Sequence, residues 1–424
     1  MAFRQMKASA DGSALAGRSL GIYPISLGLA VLTCVLTPAY VIRWRFGIFP
    51  TTLLEIAILL TVVAFAYESW RLRSIPLWRS PFTVPAVIFI VAGAISVIAA
   101  PDRRAALGIY RAYLIEPIAF FFVLSVVVNS YKRALLMLGG LGVAGVVVGV
   151  ANSAVVLDAI RHHTWNPAVT APVVIYTNAN AVALFLVPLI AVAGSLVLHE
   201  TNPRIRLASL AFVLIAVAST LFSFSRGGYL ALAAVALGLA LSHRRRWWLV
   251  GAAVAAAIVL VLIPPINHRL AVEVNFSNGS NTLVGRFELW RVSLQMLQQH
   301  FLFGAGLSGF SQTIGPYWNP THTDRFIYPH NIVLTFWSET GLLGLAAFAW
   351  IIFTGFKQSW HGWRVRQSEW RPLELGVFLA LVAVVVHGLV DVPYFKNDLA
   401  VEFWVLLGLA WAGNQIAAKR EVQR

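Results

Sequence analysis

The sequence predicts an all-α, polytopic integral membrane protein with about twelve transmembrane helices. Of its 424 residues, 59% are apolar and only 12% are charged, whereas soluble domains carry about 25% charged residues. Apolar stretches of about 20 residues, the length that a helix needs to cross a hydrocarbon core, recur along nearly the whole chain. Because most connections between them are short, we expect residues 1–424 to form a single membrane domain.

The apolar stretches are read as helices because all but the shortest, 228–242, are long enough to span the membrane, and each is bounded by polar or charged residues. The predicted spans lie at residues 24–42, 49–67, 83–100, 113–130, 134–157, 178–198, 206–223, 228–242, 247–264, 331–355, 373–392 and 398–416. The single cysteine, Cys34, lies in the first span, which excludes an intramolecular disulfide and a cysteine metal site.

The distribution of the basic residues predicts the orientation. The chain has 32 Lys and Arg against 17 Asp and Glu, and 20 of the 32 fall in alternate connections and at the two ends of the chain. By the positive-inside rule, this asymmetry places both termini in the cytoplasm and supports an even number of spans. Membrane lipids are the expected partner of these charges, and nucleic acid is not.

A long outward loop, residues 265–330, separates predicted spans 9 and 10. Within it, apolar residues recur at three- and four-residue spacing from Arg286 onward, which predicts an amphipathic helix at the outer membrane surface. The apolar positions are Phe287, Trp290, Leu294, Leu297 and Phe301. Glycines at 304, 306 and 309 then end the helix.

Three short motifs place two arginines and a histidine on the outer side. Ser-Phe-Ser-Arg-Gly-Gly at 223–228 carries Arg226, Gly-Arg-Phe-Glu-Leu-Trp at 285–290 carries Arg286, and Tyr-Pro-His-Asn at 328–331 carries His330. Two guanidinium groups suit a diphosphate, because each forms paired hydrogen bonds to phosphate oxygens. A histidine titrates near neutral pH and can accept a proton from a hydroxyl nucleophile.

Each of these residues also has a structural interpretation. Arg226 has the position of a helix-end arginine that extends to the membrane surface. Arg286 is also consistent with a solvated surface residue paired with Glu288 or Asp324. His330 is consistent with a helix-entry residue whose ring is satisfied by the backbone.

Ionisable residues within the spans are costly to bury and are expected to face the protein interior. Glu116, Glu339, His387 and Asp391 are of this kind, and His387 and Asp391 lie four residues apart on one helical face. His387 and Asp391 either orient a catalytic group or pair structurally, and structural support is the favoured interpretation. The outward carboxylates are scattered, so we expect no metal site, and no cofactor-binding motif is present.

These features together resemble the O-antigen ligase/polymerase family of bacterial envelope enzymes. The similarity is clearest over residues 170–415. The matching stretches are Thr-Asn-Ala-Asn-Ala-Val-Ala-Leu at 177–184, Ser-Arg-Gly-Gly-Tyr-Leu at 225–230, Gly-Arg-Phe-Glu-Leu-Trp at 285–290, Gly-Ala-Gly at 304–306, His-Asn-Ile-Val-Leu-Thr-Phe-Trp-Ser-Glu-Thr-Gly-Leu-Leu-Gly at 330–344 and His-Gly-Leu-Val-Asp at 387–391.

The resemblance implies a membrane glycosyltransferase of the GT-C-like type in the bacterial inner membrane, with an outward-facing active site. Such enzymes are metal-independent and move a glycan, with inversion, from an undecaprenyl-diphosphate carrier to a hydroxyl of a glycolipid or glycan acceptor. The resemblance also implies roles for particular residues. His330 would activate the acceptor hydroxyl, Arg226 and Arg286 would bind the diphosphate, Arg291 or Arg111 could join them, and Glu339, His387 and Asp391 would support the site.

The ligase, polymerase and protein-glycosylating branches share these motifs, and the loop arrangement favours the ligase type. A transporter or flippase is the alternative from another class, because Glu116, His387 and Asp391 would suit one. Transporters place their key charges near the middle of the membrane, often on broken helices. The candidate residues here lie instead at the outer interface, which favours an enzyme.

Overall fold

The structure, a computed structural model, describes residues 23–47, 49–73, 79–165, 171–274, 281–318, 326–365 and 368–422. Its helices are α1 Pro24–Val35, α2 Leu53–Arg71, α3 Thr83–Ala99, α4 Arg103–Ile109, α5 Glu116–Val127, α6 Tyr131–Arg161, α7 Asn180–His199, α8 Pro203–Phe222, α9 Arg226–Ser242, α10 Arg246–Val261, α11 Pro264–Val274, α12 Thr282–Gln299, α13 Phe310–Thr313, α14 Ile332–Arg364, α15 Arg371–Gly388 and α16 Asn397–Val422. A π-helical segment, Tyr110–Ile115, joins α4 to α5.

The predicted all-α polytopic fold is confirmed. Among the described residues, eight helical segments are long and apolar enough to cross a membrane, and four shorter apolar helices, α1, α3, α9 and α10, occupy the remaining predicted spans. Large apolar side chains on the periphery are exposed, including Trp247, Trp248 and Leu207 at 72%, 82% and 68%. A surface of this kind is expected to face the hydrocarbon of a membrane rather than water.

Helix α7 lies at the centre of the bundle. Nearly all its side chains are buried, and they pack against α8, α9 and α15. A second apolar core is built from aromatic rings around α14 and α16, in which Phe336 stacks on Phe348 with the ring centroids 3.6 Å apart. The two cores together fix the relative positions of the helices that carry the candidate site.

The first predicted span, 24–42, is shorter than expected. Helix α1 ends at Val35, and a 3₁₀ turn, Thr37–Val41, follows with Pro38 in its first turn. Proline lacks the N–H needed to continue an α-helix. An antiparallel hairpin then pairs β1 Arg43–Phe46 with β2 Phe49–Thr52. Helix α2 therefore begins at Leu53 rather than at 49, behind a capping box formed by Thr52 and Glu55.

The region predicted as an outward loop, 265–330, includes 275–280 and 319–325, which lie outside the described residues. Helix α12 occupies the place of the predicted amphipathic helix and carries both buried and exposed apolar residues; Leu297, one of the predicted apolar positions, is buried. Leu289, Val292 and Met296 pack against Phe310, whereas Phe287, Leu294 and Phe301 are 53%, 45% and 53% exposed. The reason is that the helix has apolar residues on two faces and the glycine-containing segment after it covers only one.

Helix α14 is interrupted at Gly341, which has φ 67° and ψ −177°. The segment after α12 fills the interruption with its backbone. Ala305 N–H donates to the Ser338 carbonyl at 2.7 Å, and Leu342 N–H donates to the Leu302 carbonyl at 3.0 Å. These bonds satisfy backbone groups that the break would otherwise leave unpaired inside the bundle.

Polar contacts gather at two opposite ends of the bundle. At one end, Tyr131 donates a hydrogen bond to Glu200, and His199 Nε2 lies 2.9 Å from Ser242 Oγ. Helix α9, which ends at Ser242, begins at the other end with Arg226. The predicted site residues lie at this second end, called the site end below.

Candidate active site

Asp391 is the centre of the candidate site. Its Oδ1 lies 3.0 Å from His330 Nδ1, and its Oδ2 lies 4.0 Å from Arg286 Nη2. Its side chain is 6% exposed. Three separate segments thus meet at one carboxylate. They are the end of the first turn of α12, the entry to α14 and the turn after α15.

The backbone before α14 positions His330. Asn331 caps the helix, because its Oδ1 accepts hydrogen bonds from the N–H groups of Val333 and Leu334 at 3.0 and 3.2 Å. His330 itself has φ 51°, a left-handed conformation that is uncommon for a residue with a side chain, and such strained residues cluster at active sites. The ring of Phe326 packs edge-on against the imidazole at 5.3 Å.

Arg286 is brought to the site by the docking of α12. Trp290, one turn further along the same helical face, donates its Nε1–H to the Pro329 carbonyl at 3.0 Å. This bond holds α12 against the residue that precedes His330. The Arg286 side chain is 17% exposed, so a charge there is partly shielded from solvent and interacts more strongly than a surface charge does.

Arg226 is the first residue of α9, behind a cap in which Ser225 Oγ accepts from Gly228 N–H at 3.2 Å. The next residue, Gly227, packs so closely on His387 that a Cβ atom would lie 2.8 Å from the ring. His387 is one helical turn from Asp391. Gly227 therefore allows the backbone that carries Arg226 to approach the Asp391 group.

The electrostatics favour an ionised Asp391. Burial opposes its charge, but the hydrogen bond from His330 and the charges of His330, His387 and Arg286 outweigh burial and hold the pKa of Asp391 well below its usual value. An ionised carboxylate accepts the His330 Nδ1–H. That assigns the proton of the neutral ring to Nδ1 and leaves Nε2 as the nitrogen that can accept another.

The other predicted site residues lie in separate groups. Arg291 is exposed and pairs with Glu288 at 2.5 Å. Arg111, in the π-helical segment, pairs with Glu55 at 2.5 Å and with Glu116 at 3.1 Å. Both guanidinium groups are thus already bound to carboxylates. Glu339 is buried and accepts a hydrogen bond from the Ser308 N–H at 2.6 Å, so its contact is with the segment that fills the break in α14.

Sequence reasoning assigned no role to Lys396. It follows Asp391 by five residues, at the end of the turn that leads into α16, and its ammonium lies 4.6 Å from the ring centroid of Tyr176. A basic residue in an otherwise apolar and aromatic turn, Pro-Tyr-Phe-Lys, is the signal that could have identified it.

Residues 210–349 match a family model described as O-antigen ligase. This finding confirms the resemblance that the motifs indicate and supports a glycan-transferring function of the ligase/polymerase type. The matched stretch contains Arg226, Arg286, His330 and Glu339 and ends before Asp391. No curated protein matches the chain. In the described part of the chain, no group of three or more His, Cys, Asp or Glu side chains is placed to hold a metal ion.

Proposed function

We propose that this protein belongs to the O-antigen ligase/polymerase family and transfers a glycan from an undecaprenyl-diphosphate carrier to a hydroxyl of a glycolipid or glycan acceptor. The reaction needs no metal ion and inverts the anomeric centre. The site faces outward from the bacterial cytoplasmic membrane, and both termini are cytoplasmic. The observation that carries the proposal is the meeting of His330 and Arg286 at the same carboxylate, Asp391.

In this proposal, His330 is the general base. Its Nε2 removes the proton from the acceptor hydroxyl as the oxygen attacks the anomeric carbon of the donor. The new C–O bond forms while the bond from that carbon to the carrier diphosphate breaks, and the bonding electrons leave with the diphosphate. Asp391, hydrogen-bonded to Nδ1 at 3.0 Å, stabilises the imidazolium that results.

Arg286 and Arg226 bind the diphosphate and offset the negative charge that grows on it as it leaves. Among the described residues, Arg286 forms no hydrogen bond and approaches Asp391 only at 4.0 Å, so its guanidinium N–H groups are available for phosphate oxygens. Arg291 and Arg111 are left out of this role, because each is already paired with carboxylates.

Within the family we favour the ligase type over the polymerase type, on the arrangement of the long segment between α10 and α14. Cells that lack the protein distinguish the two. Long glycans that accumulate on the carrier identify a ligase, accumulated single repeat units identify a polymerase, and no change in carrier-linked glycan contradicts both. Transfer by the purified protein in the presence of a metal chelator tests the metal-independent chemistry.

A further inference from the structure

The site end of the bundle carries a second set of cations that the proposed chemistry does not use. Arg43 and Arg45 lie on strand β1 and are exposed, and Lys396 lies in the turn that begins with Asp391. These three residues are called the hairpin patch below. Arg43 and Arg45 share one face of the strand, because alternate residues of a strand point the same way.

Lys396 connects the hairpin patch to the candidate active site. Burial lowers the pKa of Lys396, the charges of Asp398 and Asp391 raise it, and the charge of Arg43 lowers it again. The ammonium group is therefore within electrostatic range of both Asp391 and Arg43. It lies over the rings of Tyr176 and Tyr40, 4.6 and 5.6 Å from their centroids, a contact that favours a cation at this place.

The hairpin is held firmly beside Lys396. Asn397, the residue after Lys396, donates a hydrogen bond to Glu55 Oε1 at 2.9 Å. The other carboxylate oxygen of Glu55 accepts from the Thr52 N–H at the end of β2. Arg111 donates to the Pro50 carbonyl of the same strand at 2.9 Å. These hydrogen bonds fix the backbone of the hairpin relative to the turn that carries Lys396.

In the described part of the chain, Arg43 and Arg45 have no carboxylate partner, and Lys396 interacts with Asp398 and Asp391 only at longer range. Across the ranges that the structure describes, none of the three forms an ion pair, whereas Arg111 and Arg291 at the same end each do. No ion pair offsets the charges of Arg43 and Arg45, which lie on one face of the same short strand, and an anionic ligand would offset them. The proposed donor diphosphate is assigned to Arg226 and Arg286, which come from α9 and α12, so it does not fill this role.

We propose that the hairpin patch binds an anionic group, a phosphate or carboxylate, on the acceptor glycan and so orients the acceptor hydroxyl toward His330. The inference rests on the proposed function and adds to it a chemical class of acceptor. The acceptor must reach Nε2 of His330 while the donor occupies the arginines. A cationic surface linked to Asp391 through Lys396 is suitably placed to hold it, and charge-assisted bonds to phosphate suit arginine.

The test compares one acceptor glycolipid with and without its phosphate groups, using purified full-length protein in proteoliposomes. For the wild type, we expect removal of the phosphate to raise the KM for acceptor by about tenfold or more, as loss of charge-assisted hydrogen bonds implies. In the R43Q/R45Q variant and in K396Q, the two acceptors should give the same raised KM, with the KM for donor unchanged. The exposed arginines of β1 can be replaced without disturbing the core, so R43Q/R45Q keeps the test decisive if K396Q does not fold.

Arg161→Gln, at the same end of the bundle on α6, is the matched control and should keep the phosphate preference. Wild-type protein that transfers equally to both acceptors would overturn the inference and leave the proposed function standing. The inference would also be overturned if the KM for acceptor depended on anionic lipid in the vesicle rather than on acceptor phosphate, since the patch would then bind lipid headgroups. Wild-type protein that transfers to neither acceptor would remove the proposed function itself.

Discussion

The Nδ1 atom of His330 lies 3.0 Å from Oδ1 of Asp391, across 61 residues of sequence. The carboxyl is buried, but the hydrogen bond from His330 and the cationic neighbours outweigh the cost of burial and lower its pKa. It therefore sets the tautomer of the histidine and stabilises the ring when the ring becomes charged. Replacing either partner should affect the chemical step more than the binding of substrate.

Replacement of Asp391 by asparagine should lower kcat by about 10²-fold, within the range attributed to a positioned base. The amide is isosteric, but it supplies no negative charge to stabilise the imidazolium. The measurement is the rate of transfer at saturating donor and acceptor, together with the affinity for donor. A variant that keeps its wild-type kcat would show that the carboxylate has only a structural role.

Replacement of Arg286 by lysine should raise the KM for donor about tenfold or more, because an ammonium cannot form the paired hydrogen bonds of a guanidinium. Arg291→Lys is the matched control on the same helix, where the side chain is exposed and pairs with Glu288. Transfer kinetics measured at varied donor concentration give both values. Equal effects of the two substitutions would contradict a specific role for Arg286.

The depressed pKa of Asp391 predicts a pH dependence of stability. The folded protein holds this carboxyl ionised more strongly than the unfolded chain does, so the contribution is fully present above the ordinary carboxyl pKa. It is lost progressively as the pH falls below about 5. The wild type should lose thermal stability on acidification more steeply than Asp391→Asn, as followed by unfolding temperature in detergent. Parallel curves for the two proteins would argue against the depressed pKa.

The break in α14 predicts a strict requirement for glycine at position 341. Its φ of 67° and ψ of −177° belong to a region that only glycine occupies readily, and a Cβ atom would lie 2.5 Å from the Leu302 carbonyl oxygen. Gly341→Ala should destabilise the protein by about 1–3 kcal/mol. Gly139→Ala, where a Cβ meets open space, should not lower the unfolding temperature. Equal unfolding temperatures for the two variants would show that the strain is absent.

Hydrophobic length was enough to predict the helical membrane fold, because spans 20 residues long admit few other structures. It did not predict the hairpin at Arg43–Thr52 or the break at Gly341. Both depend on contacts with distant segments, with Arg111 for the hairpin and with Leu302 and Ser338 for the break.

The candidate site was predictable as a set of residue types but not as a geometry. Motif chemistry pointed to Arg226, Arg286 and His330, whereas the convergence of Arg286 and His330 on Asp391 depends on the docking of α12 through Trp290. Periodicity also does not specify which apolar face of α12 packs against the protein, since two faces of this helix are apolar and only tertiary packing selects between them. The only sequence signal for Lys396 is its place in an apolar and aromatic turn, and its contacts with Tyr40 and Tyr176 depend on the tertiary fold.

The role of His330 as general base is tested most directly by single-turnover transfer with purified protein, comparing the wild type with His330→Ala. We predict that the variant binds the polyprenyl-diphosphate-linked donor with wild-type affinity and that its transfer rate falls by at least about 10²-fold. Transfer by His330→Ala at close to the wild-type rate would contradict the assignment of His330 as the base and the transfer mechanism that depends on it.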